Sequence, residues 1–355
     1  VRYMGKCRNL TAEERNARLA SGITPTVRFR VPEGQTLVIK DLVRGDVSFE
    51  TDNMGDFIIV KSDGIPTYNF AVVIDDHQME VSHVVRAEEH LSNTPRQLLI
   101  YNALGFNPPE FAHISLILGK DRQKMSKRHG ATSVMQYREN GYLPEAIFNF
   151  LALLGWSPEG EQEILDADQI IKQFGLDRVA KNPAVFDLDK LNWINAQYIK
   201  RKTTQELGQM IMPFLVESPY INAVASLDTR KFHLLIDAIR ERLVNLRDAQ
   251  KEIEPFFAPP LYDSEATKIL AQEETQDMFK RVMEFLPDPM IFEDALSFVK
   301  HAPKSMELPA KKVLMPLRIA LTGLTKGPEL PHLMAVMGAD EVKRRIKGAL
   351  EYRGI

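Results

Sequence analysis

The sequence contains a single cysteine, Cys7, among its 355 residues. One cysteine can form neither an intramolecular disulfide nor a four-cysteine zinc site, so a disulfide-stabilised scaffold is excluded and a reducing, cytoplasmic setting is expected. No apolar run approaches the roughly 18 residues that a membrane-spanning helix needs, so we expect no association with a membrane. Net charge is also low, at −3, and any surface that attracts nucleic acid must therefore be local.

The sequence begins Val1-Arg2-Tyr3, with neither an initiator methionine nor a signal-peptide pattern, and we expect that its beginning is missing. It has no fixed-period repeat and no low-complexity tract. Hydrophobic residues make up 44% and charged residues 26%, a balance typical of globular proteins. A length of 355 residues predicts two or three domains.

Strand and helix patterns alternate over the first two hundred residues, which predicts an α/β layer. Helices are predicted at 94–105, where Thr94 and Pro95 mark the start and Gly105 the end, and at 143–155. The continuous apolar run at 70–74 is typical of a strand buried on both faces, and the segment 114–118 is predicted to be another buried strand. Further strands, with alternating or short apolar patterns, are predicted at 27–31, 37–39 and 57–60.

The remainder of the chain is predicted to be helical. From about Thr203, helical patterns follow one another, separated by proline-rich connectors at 257–260 and 286–289. We therefore expect a domain boundary near residue 205 and a weaker one near residue 260.

A basic segment follows the predicted strand at 114–118. Residues 119–138 contain six Lys or Arg residues and one acid, Asp121, although the chain as a whole is slightly acidic. At its centre, 124–130 (KMSKRHG) places a hydroxyl between two lysines three residues apart. Such a loop after a sheet strand is suited to neutralising polyphosphate oxygens. The alternative interpretation is an ordinary solvated basic loop.

These motifs resemble the class I aminoacyl-tRNA synthetases, and most closely the glutamyl-tRNA synthetases. Residues 124–128 (KMSKR) are similar to the KMSKS signature in its glutamyl form, which ends in Arg. Residues 83–97 (HVVRAEEHLSNTPRQ) also resemble the family, and a glutaminyl enzyme is expected to differ there. The resemblance is specific to about residue 200 and weaker beyond it. Other matching segments are 66–71, 72–77, 141–146, 154–157, 186–187, 190–191, 193–195, 316–318 and 320–323.

The resemblance implies an α/β part followed by an all-α part: the C-terminal part of a class I Rossmann-like catalytic domain with its acceptor-binding insert, then helical anticodon-binding domains. Residues 1–68 would be the remainder of the acceptor-stem-binding insert. Residues 69–205 would be the C-terminal half of the catalytic domain and the stem-contact region, with the KMSKS-like loop. Residues 206–260 and 261–355 would be two helical anticodon-binding subdomains.

The implied reaction is the ATP-dependent activation of L-glutamate to glutamyl-adenylate and its transfer to the 3′ end of tRNA-Glu. Lys127 and Lys124 would contact the phosphates of ATP, and Ser126 would help to shape the loop. Mg²⁺ would be held mainly by substrate oxygens and water. By the same resemblance, Glu89 would lie near the ribose of ATP, and Arg86 and Tyr68 would bind glutamate. The alternative for Arg86 and Glu89 is a structural ion pair at a strand end.

We expect the protein to be a monomer. Because its net charge is not basic, contacts with tRNA are expected to come from local surfaces. By the resemblance, Arg242, which we place on a helix within 238–246, would read the third anticodon base and favour tRNA-Glu over tRNA-Gln. Arg318 is a second anticodon candidate on the same basis. An exposed helix charge is the alternative for Arg242.

A metal site is not expected from the sequence. The acidic and histidine residues at 75–77, His83 and His90 have no H-x-x-H or H-E-x-x-H spacing. Some glutamyl enzymes bind zinc near the position of Cys7 through several cysteines and a histidine. This chain has no second cysteine, so we expect no zinc.

A non-catalytic tRNA-binding fragment or paralogue remains the main alternative. Class I synthetases carry a second signature, HIGH, and none of the eight histidines here lies in an H-x-G-H setting. We therefore expect either that an N-terminal segment carrying this signature is missing, which would leave this chain alone inactive, or that the chain binds tRNA without catalysis. A P-loop kinase is excluded because no G-x-x-x-x-G-K-[ST] motif occurs.

Overall fold

The structure is a computed structural model that describes residue 3 and residues 5–126, 128 and 133–352. The chain divides into two compact units. The first comprises Val1–Gly130 and Leu151–Asp187, and the second comprises Ala131–Phe150 and Leu188–Ile355. The boundaries predicted from the sequence, at 68, 205 and 260, stay predictions.

The first unit contains the described strands. They are β1 (Val27–Phe29), β2 (Thr36–Asp41), β3 (Gly45–Glu50), β4 (Phe57–Val60), β5 (His83–Ala87), β6 (Glu110–Ile114), β7 (Ile117–Leu118) and β8 (Ala184–Val185). Its helices are α1 (Ala12–Ala20), α2 (Tyr68–Gln78), α3 (Thr94–Leu104) and α6 (Ala167–Gln173). Helix α5 (Pro144–Leu153) contains the division between the two units.

A four-stranded sheet in the order β3-β2-β6-β5 forms the centre of the first unit. Strands β2, β6 and β5 are parallel, and β3 pairs with β2 as an antiparallel hairpin. Strands β1 and β4 form an antiparallel pair, and β7 and β8 a parallel pair. The carboxyl ends of the three parallel strands therefore lie along one edge of the sheet, where open α/β folds place their ligands.

The prediction of a strand at 70–74 is wrong, because these residues belong to helix α2. A five-residue apolar run is too short for its periodicity to separate a buried strand from a buried helix. Thr67 is extended and precedes the first helical residue, Tyr68. Val73, on α2, packs with Ile100 of α3 in a buried cluster, so the apolar character reflects helix packing.

The predicted strand at 114–118 is two elements. β6 ends at Ile114, one residue into the predicted range, and pairs with β5, whereas β7 (Ile117–Leu118) pairs with β8. The apolar residues on either side of Ser115 therefore belong to two different sheets. Ser115, between them, donates its hydroxyl to the carbonyl of Ala180.

Other elements agree with their sequence patterns. β2 contains the predicted segment 37–39, β4 coincides with 57–60, and β1 covers the first part of 27–31. Helix α3 has proline in its first turn and ends at Gly105, which adopts a left-handed conformation with φ of 69°. Thr94 is the first residue of this helix, and Asn93 occupies the position before it.

The described elements of the second unit are all helical, and from Thr203 onward this agrees with the prediction. They are α4 (Val134–Glu139), most of α5, α7 (Leu188–Arg201), α8 (Thr204–Leu215), α9 (Ile221–Ala225), α10 (Thr229–Arg240), α11 (Ala249–Glu252), α12 (Glu254–Phe257), α13 (Ser264–Leu270), α14 (Glu273–Phe285), α15 (Phe292–Ser305), α16 (Ala310–Thr322), α17 (Leu330–Met337) and α18 (Ala339–Glu351). Gly323 ends α16 at φ of 77°, and a Cβ there would collide with the backbone of Leu261. Glycine is therefore required at this turn.

Candidate active site

Three polar side chains form a row across the carboxyl ends of the parallel strands. Arg86 on β5 lies opposite His113 on β6, and Asp41 ends the neighbouring strand β2. The side chains of Asp41 and His113 are fully buried, with no exposed area. The row therefore leads from the sheet interior to Arg86, which is only partly buried.

Asp41 receives several hydrogen bonds. Its Oδ1 accepts from the backbone N–H groups of Val43 and Arg44 at 3.0 and 2.8 Å, and its Oδ2 lies 2.6 Å from Nδ1 of His113. Burial opposes ionisation of this carboxyl, but the hydrogen bonds outweigh it and lower the pKa of Asp41. Asp41 is therefore a buried carboxylate.

His113 is neutral in this environment. Burial lowers the pKa of its imidazole, and the nearby charges of Arg86 and Arg44 act in the same direction against the opposing effect of Asp41. Nε of Arg86 donates to Nε2 of His113 at 3.2 Å, so Nε2 is an acceptor. The proton of the neutral ring is consequently on Nδ1, where it is donated to Asp41.

The guanidinium of Arg86 donates hydrogen bonds of 3.2 Å or less from two of its three nitrogens, Nε and Nη2, to acceptors of the first unit. In addition to the bond from Nε, its Nη2 donates to Oγ1 of Thr94 and Oε1 of Gln97, both at 2.8 Å. Its Nη1 makes a longer hydrogen bond, 3.5 Å, to the hydroxyl of Tyr68. Burial lowers the pKa of Arg86 from that of a solvated arginine, but the group stays charged.

The structure thus brings together Tyr68 and Arg86, the two side chains expected to bind glutamate. Tyr68 is the first residue of α2 and is 52% exposed, so its hydroxyl is accessible beside Nη1 of Arg86. A fixed guanidinium with one loosely engaged nitrogen and an adjacent phenol can bind a carboxylate. The role itself stays a prediction.

Glu89 pairs with the basic loop. Its Oε2 lies 2.6 Å from Nζ of Lys124, and both side chains are exposed. The hydrogen bond and the charge of Lys124 lower the pKa of Glu89. The charged groups of Arg86 and Glu89 therefore have other partners, which does not favour the alternative of a structural ion pair between them.

The basic loop is anchored at its base by backbone hydrogen bonds. The N–H of Met125 donates to the carbonyl of Ile117 at 3.0 Å, and that of Gly119 to Gln123 at 2.8 Å. These bonds hold the backbone of the residues that immediately precede Ser126. Lys127, the leading candidate for the phosphate contact, lies outside the described residues, as does His129.

Acidic side chains lie near other cations of the loop. Lys120 is 3.9 Å from Asp187, and Arg128 is 3.9 Å from Asp121. The positive charge of the basic loop is therefore partly neutralised by carboxylates of the first unit.

Arg242 does not lie on a helix, which corrects the prediction of a helix within 238–246. Helix α10 ends at Arg240, and Arg242 follows in a turn. The cause is a capping arrangement further on: Asn245 is extended and Oδ2 of Asp248 accepts the N–H groups of Val244 and Asn245 at 3.0 Å. These bonds begin a new short 3₁₀ turn at Leu246 instead of continuing α10.

Both candidate anticodon arginines have partners within the second unit. Nε of Arg242 donates to Oε2 of Glu252, and Nη1 of Arg318 donates to the carbonyl of Pro328. The pKa of Arg318 is lowered, first by burial and then by the positive charge of Arg242. The two arginines are therefore close enough for the charge of one to affect the pKa of the other, and Arg242 is the more exposed of the two.

The histidines considered for a metal site have other contacts. His77 stacks on Phe106 at 3.6 Å, and His83 lies 3.8 Å from a carboxylate oxygen of Glu110. Within residues 5–126, 128 and 133–352, no group of three His, Cys, Asp or Glu side chains could hold a metal ion. In the same part of the chain, no helix is both long and apolar enough to cross a membrane.

Sequence reasoning missed Asp41 and His113. The available signal was positional, since each is a polar residue at or near the end of a parallel strand that is otherwise apolar on its buried face. Their significance depends on the strand order β2-β6-β5, which places them in one row with Arg86.

Two family models match this chain. Residues 1–193 match the model described as "tRNA synthetases class I (E and Q), catalytic domain", and residues 206–350 match the "Anticodon binding domain" model. The chain is 56% identical over 349 residues to a glutamate–tRNA ligase of Carboxydothermus hydrogenoformans, an alignment that covers 97% of the chain and 73% of the relative. It is 44% identical over 355 residues to that of Geobacillus stearothermophilus, covering 98% and 73%.

The chain is also similar to solved structures of glutamate–tRNA ligases. The chain superposes with a TM-score of 0.90 and 33% identity on a glutamate tRNA ligase from Elizabethkingia meningosepticum in complex with its amino acid, covering 99% of this chain and 74% of the other. A glutamate-tRNA synthetase from Elizabethkingia anophelis gives a TM-score of 0.86 at 34% identity, with coverage of 99% and 74%.

Proposed function

This chain belongs to the class I tRNA synthetases of the glutamate and glutamine type, and from that membership we propose that it is a glutamate–tRNA ligase. In this ATP-dependent reaction, the ligase joins L-glutamate to the 3′ end of tRNA-Glu. The observation that carries the proposal is the pairing of Arg86 and Tyr68 at the carboxyl edge of the parallel strands.

The Arg86–Tyr68 pair supports an acidic amino acid as the substrate. Nη1 of Arg86 and the hydroxyl of Tyr68 lie 3.5 Å apart, so a carboxylate placed against them receives a charged and a neutral hydrogen bond. Because Nε and Nη2 are already engaged, the guanidinium cannot turn away from this position. A neutral amide would form weaker hydrogen bonds here than a carboxylate, which favours glutamate over glutamine.

The basic loop is assigned to ATP. Lys124, with Lys127, would neutralise the pyrophosphate oxygens as the α-carboxylate of glutamate attacks the α-phosphate, and Ser126 would shape the loop. Glu89 would accept hydrogen bonds from the ribose. Mg²⁺ would be carried by the phosphate oxygens and water, since the described residues offer no cluster for it.

We assign binding of the tRNA anticodon to the second, helical unit. Arg242 and Arg318 would contact the anticodon, where arginine suits the hydrogen-bond acceptors of base edges. The glutamyl group then passes from the adenylate to the terminal ribose of tRNA-Glu. We further propose that the ligase acts as a monomer in the cytoplasm.

The test is ATP-dependent transfer of radiolabelled glutamate to tRNA-Glu by the protein that the complete gene encodes, with glutamine and aspartate as competing amino acids. Esterification of glutamate alone is expected. Binding of tRNA without charging, and without tRNA-dependent pyrophosphate exchange, would contradict the proposal and establish the non-catalytic alternative. No observation on the described residues favours that alternative.

A further inference from the structure

Asp41 and His113 form a buried support behind Arg86. Resting on the proposed function, we infer that both are positioning residues: the Asp41 carboxylate holds the His113 imidazole in the tautomer that accepts from Nε of Arg86, and thereby orients the guanidinium toward the amino-acid substrate. Neither residue touches the substrate position directly, because Arg86 and Tyr68 form the accessible end of the row.

The first step is the fixed position of the imidazole. Its Nδ1 lies 2.6 Å from Oδ2 of Asp41, and the backbone N–H of His113 donates to the same carboxylate at 3.1 Å. Oγ1 of Thr94 lies 3.1 Å from Nε2. With no exposed side-chain area, the ring cannot exchange these partners for water.

The second step is the direction of the hydrogen bonds. Nε of an arginine is only a donor, so the bond to Nε2 of His113 requires an unprotonated nitrogen. If Nε2 carried a hydrogen, two N–H groups would oppose each other at 3.2 Å inside the protein. The Asp41 carboxylate prevents this, because it can only accept and therefore keeps the proton on Nδ1.

The third step is the consequence for the substrate. With Nε fixed by His113 and Nη2 by Thr94 and Gln97, the planar guanidinium has a single orientation, and Nη1 points to the side of Tyr68. Loss of the His113 bond allows the plane to rotate. Binding of glutamate is then weakened, whereas ATP, which is assigned to other residues, is unaffected.

The sharpest variant is Asp41→Asn. Its amide oxygen can keep the acceptor bonds to Val43 and Arg44, so the turn after β2 is retained. Its NH₂ group, however, faces Nδ1 of His113 as a donor and drives the ring into the opposite tautomer. We expect the KM for glutamate to rise about tenfold, as for the loss of one charged hydrogen bond, with the KM for ATP within about twofold of wild type.

His113→Gln and His113→Leu form a matched pair. Glutamine can accept from Nε of Arg86 through its carbonyl and donate to Asp41 through its amide, whereas leucine can do neither. We expect His113→Gln to restore most of the glutamate affinity that His113→Leu loses. His83→Gln, at an exposed position on strand β5, is the control and leaves both KM values unchanged.

A second readout is independent of catalysis. In ¹⁵N-histidine-labelled protein, the His113 resonance, assigned by its loss in His113→Gln, is expected to show a protonated Nδ1 and an unprotonated Nε2 that exchange roles in Asp41→Asn. A wild-type ring with protonated Nε2 would overturn the inference. So would folded Asp41→Asn and His113→Leu variants with the wild-type KM for glutamate, or with all KM values raised equally. If the wild-type protein fails to charge glutamate, the proposed function fails while the ¹⁵N measurement still decides the tautomer.

Discussion

Nζ of Lys124 lies 2.6 Å from Oε2 of Glu89, which joins the basic loop to the carboxylate expected at the ribose of ATP. Both side chains are exposed, so their contact is open to solvent. Binding of ATP in the proposed manner would require both groups, because the lysine would turn to phosphate and the acid to the ribose. In the proposed reaction the pair would therefore have to separate.

The first prediction concerns the pKa of Glu89, which Lys124 lowers through its hydrogen bond and charge. Because the folded-state pKa lies below the usual value of 4.5, the pair contributes stability above that value and loses it as the pH falls through the folded-state pKa. In Lys124→Gln we expect the pKa of Glu89 to rise toward 4.5. The measurement is a ¹³C NMR titration of the Glu89 carboxyl group.

The control for this titration is Lys120→Gln. Lys120 lies in the same loop but 3.9 Å from Asp187, so its loss should leave the pKa of Glu89 unchanged. An equal rise in both variants would mean that the general charge of the loop, and not the Lys124 contact, lowers this pKa.

The second prediction concerns Arg86→Lys, which keeps the charge but loses the planar donor set. A lysine cannot bond to His113, Thr94 and Gln97 while also reaching a substrate carboxylate. We expect the KM for glutamate to rise about tenfold to a hundredfold, the range for losing a hydrogen bond to a charged group. The measurement is the rate of tRNA charging at varied glutamate concentration.

A nearby arginine provides the control for Arg86→Lys. Nη1 of Arg96, on the adjacent helix α3, donates to the carbonyl of Ser92. Arg96→Lys should leave the KM for glutamate at its wild-type value. A wild-type KM in Arg86→Lys itself would remove Arg86 from the glutamate site.

Sequence reasoning named Arg86 and Tyr68 as the candidate glutamate-binding pair, but it did not name the two residues that hold Arg86. Arg86 and Tyr68 could be identified because they lie within motifs that resemble a known family. Asp41 and His113 could not be identified in this way, because each matters only through the order of the strands. That order brings the backbone N–H of His113 to the Asp41 carboxylate, although the two residues are 72 positions apart along the chain. Local pattern does not contain that order.

Two local errors have different physical origins. The run at 70–74 is apolar because α2 packs against α3, and a strand buried on both faces would look the same over five residues. At Arg242 the helical periodicity continues past the end of α10, but the side chains of Asn245 and Asp248 offer the backbone better partners than another helical turn.

The third prediction concerns Arg242→Gln and the choice of tRNA. If Arg242 contacts an anticodon base, the ratio of kcat/KM for tRNA-Glu over tRNA-Gln should fall about tenfold, because a good side chain–base pair contributes roughly 1–3 kcal/mol of discrimination. The measurement is charging of the two purified tRNAs. Arg344→Gln is the control, since Arg344 is 66% exposed and paired with Glu341 on α18. Unchanged discrimination in Arg242→Gln would contradict the assignment.

The fourth prediction compares two neighbouring arginines on α18 that share one carboxylate. Arg344 and Arg345 both donate to Glu341, but the side chain of Arg344 is 66% exposed and that of Arg345 is 1% exposed. Arg345 also donates to the carbonyls of Pro255, Phe256 and Leu321, which lie at or near the carboxyl ends of other helices. One buried guanidinium thus satisfies carbonyl acceptors on two other helices, α12 and α16, in addition to the carboxylate on its own helix.

Arg345→Met should therefore lower the free energy of unfolding by about 3–5 kcal/mol, because it leaves buried acceptors without a donor. Arg344→Met should cost less than about 1 kcal/mol, since an exposed ion pair is replaced by water. The measurement is urea unfolding of the whole chain, followed by far-UV circular dichroism. Equal losses in the two variants would mean that the shared pair with Glu341, and not the carbonyl contacts, accounts for the stabilising effect. A large loss confined to Arg345→Met would establish that a buried cation links the ends of these helices.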